Sequence, residues 1–256
     1  MQNNIEKKAP FIEFKNVERS YQMGDRTFYA LRDVNLELYE GEMVVILGPS
    51  GAGKSTLLNL LGGMDTPSAG EIIFDNKNIA DFSDRELTEY RAWNVGVVFQ
   101  FYNLVPTLTA YENVALMGDL CKSLRKKSVW NEKGEKFTVR APEDALKSVG
   151  LEEHMHQFPS QMSGGEQQRT SIARAIAKNP RLLLCDEPTG ALDTGTGQEI
   201  LKLLQDMSRT EHRTVVMVTH NSVFAEIADR VIRVKNGRIQ DVQTCDDPKS
   251  AEEVKW

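Results

Sequence analysis

The chain has 256 residues, is 40% apolar and 27% charged, and carries a net charge of −6, the balance of a globular protein able to bury a sizeable core. That acidity weighs against a nucleic-acid partner, which selects a basic face. The longest apolar runs, such as Met43–Leu47, are far too short to cross a bilayer, and the polar opening Met1-Gln-Asn-Asn reads as no leader. A cytoplasmic chain is expected, without direct bilayer insertion, reaching any membrane through another protein.

Alternating apolar residues predict strands over 11–17 and 31–38, joined by a turn-rich link over 22–26. Met43–Leu47 is continuously apolar, the pattern of a parallel strand buried on both faces. A helix over 54–61 follows, stopped by Gly62-Gly63, then a turn over 68–70 and a short strand over 71–74. Ser83 and Glu86 form a capping-box pattern, which predicts a helix over 84–92. Another apolar strand spans 95–99. From Thr107 to Ala177 the period turns helical, with helices over 109–120, 141–149 and 165–177. Within that stretch Arg125-Lys126-Lys127 reads as a solvated face, and Lys133-Gly-Glu-Lys136, between Trp130 and Phe137, as an extra hairpin. Strands return over 182–185, 215–218 and 231–234, with helical stretches over 196–207 and 222–227. Asn236-Gly237 marks a hairpin turn. The polar, acidic stretch 241–256 is expected to be a partly disordered tail. Alternating strands and helices imply an α/β fold with a parallel sheet covered on both faces and an all-helical insertion. Cys121, Cys185 and Cys245 lack zinc spacing and read as reduced thiols, Cys185 packed inside an apolar run. His154 and His156 have no companion ligands and read as loop residues.

Gly48-Pro-Ser-Gly-Ala-Gly-Lys-Ser55 matches the phosphate loop G-x-x-x-x-G-K-[ST] between a buried strand and a helix, the context the motif requires. Gly48, Gly51 and Gly53 let backbone N–H groups curl around an anion, and the loop feeds the positive end of the helix. Lys54 is placed to reach the β- and γ-phosphates, and the Ser55 hydroxyl to bind Mg²⁺. Asp186 ends a buried strand, where a carboxylate needs a cation or hydrogen bonds. Ser163, Gly164 and Gly165 open a helix, with Ser163 as its cap.

A phosphate loop, then Met162-Ser-Gly-Gly-Glu-Gln-Gln-Arg169, then Leu182-Leu-Leu-Cys-Asp-Glu187, in that order, resembles the ATP-binding cassette (ABC) ATPases over most of the chain. The resemblance implies a P-loop NTPase core with a parallel sheet, an antiparallel β subdomain and an inserted helical subdomain. It further implies a single nucleotide-binding domain over 1–256: the core over 11–96 and 178–242, the helical subdomain over 97–177, and a tail over 243–256. ATP and Mg²⁺ are the implied cofactors. Gly48, Ser50, Gly51, Ala52, Gly53, Lys54, Ser55 and Thr56 would hold the phosphates, and Ser55, Gln100 and Asp186 the metal. Glu187 would be the base that orients water, with His220 beside it as the switch histidine. Tyr21 would stack on adenine, and Asp193 would cross a dimer interface. Ser163–Gly165 would complete the site of a second copy, so that ATP binding brings a homodimer together. Met162 and Glu166 depart mildly from the commonest form, and Glu166 is expected to point away from phosphate.

Gly24–Arg32, Gly62–Gly70, Phe99–Pro106 and Glu112-Asn-Val114 are similar to the lipoprotein-release and macrolide-efflux branch. That branch implies a motor subunit paired with a membrane-spanning permease that docks in a groove lined by 101–107. The alternative is a soluble cassette acting on nucleic acid or in cell-division regulation; such proteins usually carry fused cassettes, coiled coils or zinc modules, which this sequence lacks.

Overall fold

Alternate burial of Ile12, Phe14 and Val17 on one strand and of Val34, Leu36 and Leu38 on the other makes β1 (Ile12–Met23) and β2 (Arg26–Leu38) an antiparallel pair. The computed structural model describes residues 9–124 and 138–255; the 125–127 basic cluster and the 133–136 hairpin lie outside them. The strands run further than the sequence suggested. The expected link over 22–26 shrinks to Gly24-Asp25, with Gly24 at φ 60, so that Tyr21 pairs with Phe28 and Met23 with Arg26. Together with β4 (Ala69–Phe74) and β5 (Lys77–Asn78) they form a four-stranded sheet in the order β2-β1-β4-β5.

The second sheet runs β10-β9-β3-β8-β7-β6. It contains β3 (Met43–Leu47), β6 (Val95–Val98), β7 (Leu182–Asp186), β8 (Thr214–Thr219), β9 (Arg230–Lys235) and β10 (Arg238–Thr244). All its pairings are parallel except β9 with β10, which are antiparallel and turn at Asn236-Gly237. The strand period splits β3 between two cores. Met43, Val45 and Leu47 face one cluster, which includes Val114, Ile172 and Leu204. Val44 and Ile46 face the other, with Leu57, Phe74 and Leu31. Each such buried aliphatic side chain contributes roughly 1.5–3 kcal/mol over leaving it in water.

Helix α1 (Lys54–Leu61) follows β3 after a loop over residues 48–53. Helix α2 (Asp84–Trp93) begins in the expected capping box, Ser83 N donating to the Glu86 carboxylate at 2.8 Å. A helical part packs on one side: α3 (Ala110–Leu124), α4 (Pro142–Lys147) and α5 (Gly164–Ile176) all touch one another. Helix α6 (Thr194–Arg209) starts two residues before the expected 196 because Asp193 caps it. The stretch expected as a helix over 222–227 is a 3₁₀ turn, Ser222–Ile227, capped by Asn221.

The tail was expected to be partly disordered and is instead packed. Ala251 and Val254 are buried. The Gln198 amide donates to the carbonyls of Ala251, Glu252 and Val254, and the Gln205 carbonyl accepts from Ala251 N at 2.9 Å. Lys202 pairs with Glu252, and Lys249 with Glu226 at 2.7 Å. Cys121 and Cys185 are buried and Cys245 is exposed. Among the described residues no helix is long and apolar enough to cross a membrane.

Candidate functional site

The phosphate-loop residues link β3 to α1 through two glycines pressed against neighbouring backbone. A Cβ at Gly48 would lie 2.2 Å from the Val234 carbonyl oxygen, and one at Gly53, at φ 105, 2.6 Å from that of Ala30. Gly51, at φ 73, has nothing within 4 Å of the same position, and Ser50, Gly51 and residues 53–56 line an open cradle. Ala52 is buried beneath it, anchored by its carbonyl to Gly237 N. Lys54 is only 9% exposed, and its Nζ donates to the carbonyls of Gly48 (2.8 Å) and Pro49 (3.1 Å). The loop's own oxygens thus hold the ammonium beside the cradle.

Asp186 ends β7 facing α1. Burial and the Glu187 charge push its carboxyl above the usual range, while a Ser55 hydrogen bond and Lys54 pull it down; the net direction is up. A carboxylate that ionises at a cost, bonded to a hydroxyl beside an anion cradle, fits a hard divalent cation. Mg²⁺ commonly takes one or two carboxylates plus substrate phosphates, so Ser55 and Asp186 suffice on the protein side.

Glu187 leaves the strand at φ 48, in the left-handed region, which turns it away from Asp186. Its carboxylate accepts from Thr219 Oγ1 at 3.2 Å and lies 2.8 Å from His220 Nδ1. Gln100 follows β6 by two residues, and its amide nitrogen stands 2.9 Å from where a Gly190 side chain would begin. Gly190 N in turn donates to the Glu187 carbonyl at 3.0 Å, so a side chain at 190 would push Gln100 off the site. Tyr21 bonds Asp65 Oδ2 through its hydroxyl (2.9 Å), and the Arg19 guanidinium lies 4.6 Å from its ring centre.

One cleft of about 650 Å³ joins Tyr21, Ser50, Gly51, Gly53, Lys54, Ser55, Thr56, Gln100, Asp186, Glu187 and His220. Gly48 and Ala52 support it from below. Ser163, Gly164, Gly165 and Asp193 do not line it. Ser163 caps α5, with Glu166 returning its carboxylate to Ser163 N (2.7 Å) and Oγ (2.8 Å), a local closure that keeps Glu166 occupied. Its other oxygen lies 3.5 Å from His154 Nε2. Asp193 caps α6, one oxygen accepting from Thr196 N and the other from Thr196 Oγ1.

Sequence reasoning missed Phe28, which is exposed and lines the cleft opposite Tyr21. Reading Gly24-Asp25 as a two-residue turn would have set that register and found it. It also missed Gly190 and Thr219. Tyr102, expected on an apolar docking surface, is half-buried with its hydroxyl against Gly164; Phe101 is the exposed apolar residue of that stretch.

A family model described as ABC transporter matches residues 31–190. The chain is 46% identical over 230 residues to an uncharacterized ABC transporter ATP-binding protein, MJ0796, of Methanocaldococcus jannaschii, covering 90% of this chain and 95% of that protein. It is 44% identical over 232 residues (91% of this chain) to the macrolide export ATP-binding/permease protein MacB of Haemophilus ducreyi, of whose length it spans 32%. Among solved structures, a dimeric post-hydrolysis state of the cassette MJ0796 bound to ADP and Pi matches with a TM-score of 0.78 and 42% identity. That match covers 91% of this chain and 98% of that chain.

Proposed function

The chain belongs to the ABC transporter family as an ATP-binding, ATP-hydrolysing cassette, and on that premise we propose that it is the motor subunit of a membrane complex, taking MgATP in the cleft and acting on a separate permease. The observation that carries this reading is the meeting of the cradle, Lys54, Asp186 and the Glu187–His220 pair in one cleft. The whole chain acts as one cassette.

In the proposed mechanism the loop amides and Lys54 bind and orient the β- and γ-phosphates. Ser55, Asp186 and Gln100 would hold Mg²⁺, which would supply positive charge to neutralise those phosphates. Glu187 accepts a hydrogen bond from the attacking water and aligns it with the γ-phosphorus. His220 and Thr219 hold one Glu187 oxygen each, which fixes the angle of the carboxylate. Tyr21 and Phe28 offer ring surface to the adenine.

Ser163–Gly165 lie outside the chain's own cleft. A second copy, turned head to tail, would bring its Ser163 helix end to the γ-phosphate and its Asp193 to the shared interface. The dimeric state of the MJ0796 cassette with ADP and Pi supports this arrangement. The permease would dock on the helical part, where Phe101, Leu116 and Phe158 expose apolar surface. The chain would thereby sit at a membrane through its partner.

The test is ATPase specific activity against protein concentration. Each complete site needs two chains, so specific activity should rise with concentration in the micromolar range. Constant specific activity down to nanomolar protein would show sites complete in one chain and sink the dimer reading. Leu116→Glu with Phe158→Glu should keep that activity while the chain stops co-purifying with its permease.

A further inference from the structure

Helix α5 holds more than its own capped end. Arg174 sends one guanidinium nitrogen to the Asn103 carbonyl at 2.6 Å and the other to the Tyr102 carbonyl at 2.9 Å. Both acceptor residues adopt the left-handed region, Tyr102 at φ 57 and Asn103 at φ 51, two and three positions beyond Gln100. Consecutive non-glycine residues stay there only when their surroundings fix them. A bond from Asn103 N to Phe101 O tightens the turn but does not tie it to the rest of the molecule. Arg174 does. The Tyr102 hydroxyl packs close against Gly164, 2.9 Å from where a side chain there would begin.

The residue type suits the task. Arg174 makes no ion pair among the described residues, and burial pushes its guanidinium pKa down, so the two carbonyls are its main compensation for lost water. Its rigid planar fork offers the two carbonyls separate nitrogens in a fixed geometry, which the single ammonium of a lysine does not. The same helix also holds the loop behind Glu187, because the fully buried Gln168 donates to the Pro188 carbonyl at 2.7 Å. One helix therefore braces the two loops that leave β6 and β7.

We propose that Arg174 is a positioning residue for ATP hydrolysis: by clamping Tyr102 and Asn103 to α5, it fixes where Gln100 stands and makes Gln100 move together with the Ser163 end of that helix. The proposal rests on the ATPase reading above. Arg174 itself touches neither nucleotide nor metal.

The experiment uses the full chain as wild type, Arg174→Lys, Gln100→Ala and the double variant. It measures the thermal midpoint, kcat and KM for MgATP, and hydrogen exchange of amides 101–105. Arg174→Lys should fold with a nearly unchanged midpoint and a KM within about twofold, since uniform binding is untouched. Its kcat should fall about tenfold, less than the hundredfold of a full 1 Å misplacement. Exchange over 101–105 should quicken while β3 and β7 stay protected. The double variant should be no slower than Gln100→Ala, because both changes act through one group. Unchanged kcat, unchanged exchange over 101–105, or multiplicative losses in the double variant would overturn the proposal. So would a lowered midpoint with faster exchange throughout the helical part, the mark of a purely structural arginine. A wild type that does not hydrolyse MgATP would overturn the ATPase reading, and this proposal with it; an active wild type with an unaffected Arg174→Lys overturns this proposal alone.

Discussion

Glu187 carries both its position and its chemistry through three contacts: its strained backbone, Thr219 and His220. Glu187→Gln keeps the shape but removes the base, so nucleotide binding should persist while turnover falls about 10²–10⁴-fold. His220→Ala frees only one of the two carboxylate oxygens, so its loss should be smaller. Steady-state hydrolysis beside nucleotide titration ranks the two, and a His220→Ala slower than Glu187→Gln would reverse the assignment. Asp186 makes a prediction about stability. Its folded pKa is raised, chiefly by burial, so the folded chain binds the proton more tightly than the unfolded chain does. The ionised group therefore weakens the nucleotide-free fold at neutral pH, and that penalty fades as pH falls through the folded pKa. Asp186→Asn should melt higher than wild type at pH 7.5 without nucleotide. Wild type should gain about 5–10 °C from MgATP at a hundredfold excess over Kd, and the variant should gain little. A variant that melts lower without nucleotide would contradict the sign.

Among the elements, α5 and α6 meet where no side chain fits. A Cβ at Gly165 would stand 2.4 Å from Thr196 Cγ2, so Gly165→Ala should cost about 1–3 kcal/mol by overpacking. Thr196→Ser removes that methyl and keeps the hydroxyl bonded to Asp193; in urea titrations it should recover most of the loss. Thr196→Ser without any recovery would place the strain elsewhere. The strands of the parallel sheet were readable because continuous apolar runs such as Met43–Leu47 leave one interpretation, and the phosphate loop because its motif sits between strand and helix. Cap residues were readable too, Ser83 with Glu86 and Ser163 at the head of α5, because their bonds are local. Long-range pairings were not. The length of the β1–β2 hairpin depends on Tyr21 facing Phe28 across the turn, a register hidden by polar neighbours. The tail looked disordered because Ala251 and Val254 are a small apolar signal, while the amides that hold it, Gln198 and Gln205, lie far back in the sequence. Gly190 gave no sign of its role, since its constraint comes from Gln100 rather than from its own turn.

For the whole molecule, the decisive fact is where β3 finds its neighbours. Met43 pairs with Val215 on one side, and Val44 with Arg230 on the other. Both partners lie beyond residue 190, where the family match ends. A ribosome delivers the chain from its N-terminus, so the strand that launches the phosphate loop emerges early and waits, apolar on both faces and unpaired on both edges. Until residues 214–237 have been translated the cradle has no floor, because Gly48 and Ala52 rest against Val234 and Gly237. A fragment ending at residue 190 should therefore bind no fluorescent ATP analogue and should precipitate, whereas one extended to residue 245 should bind. Nucleotide capture by the shorter fragment would disprove this dependence. During synthesis, nucleotide binding should then await residue 237, and a shorter nascent chain, with β3 bare, should be held by a chaperone that covers exposed apolar strands.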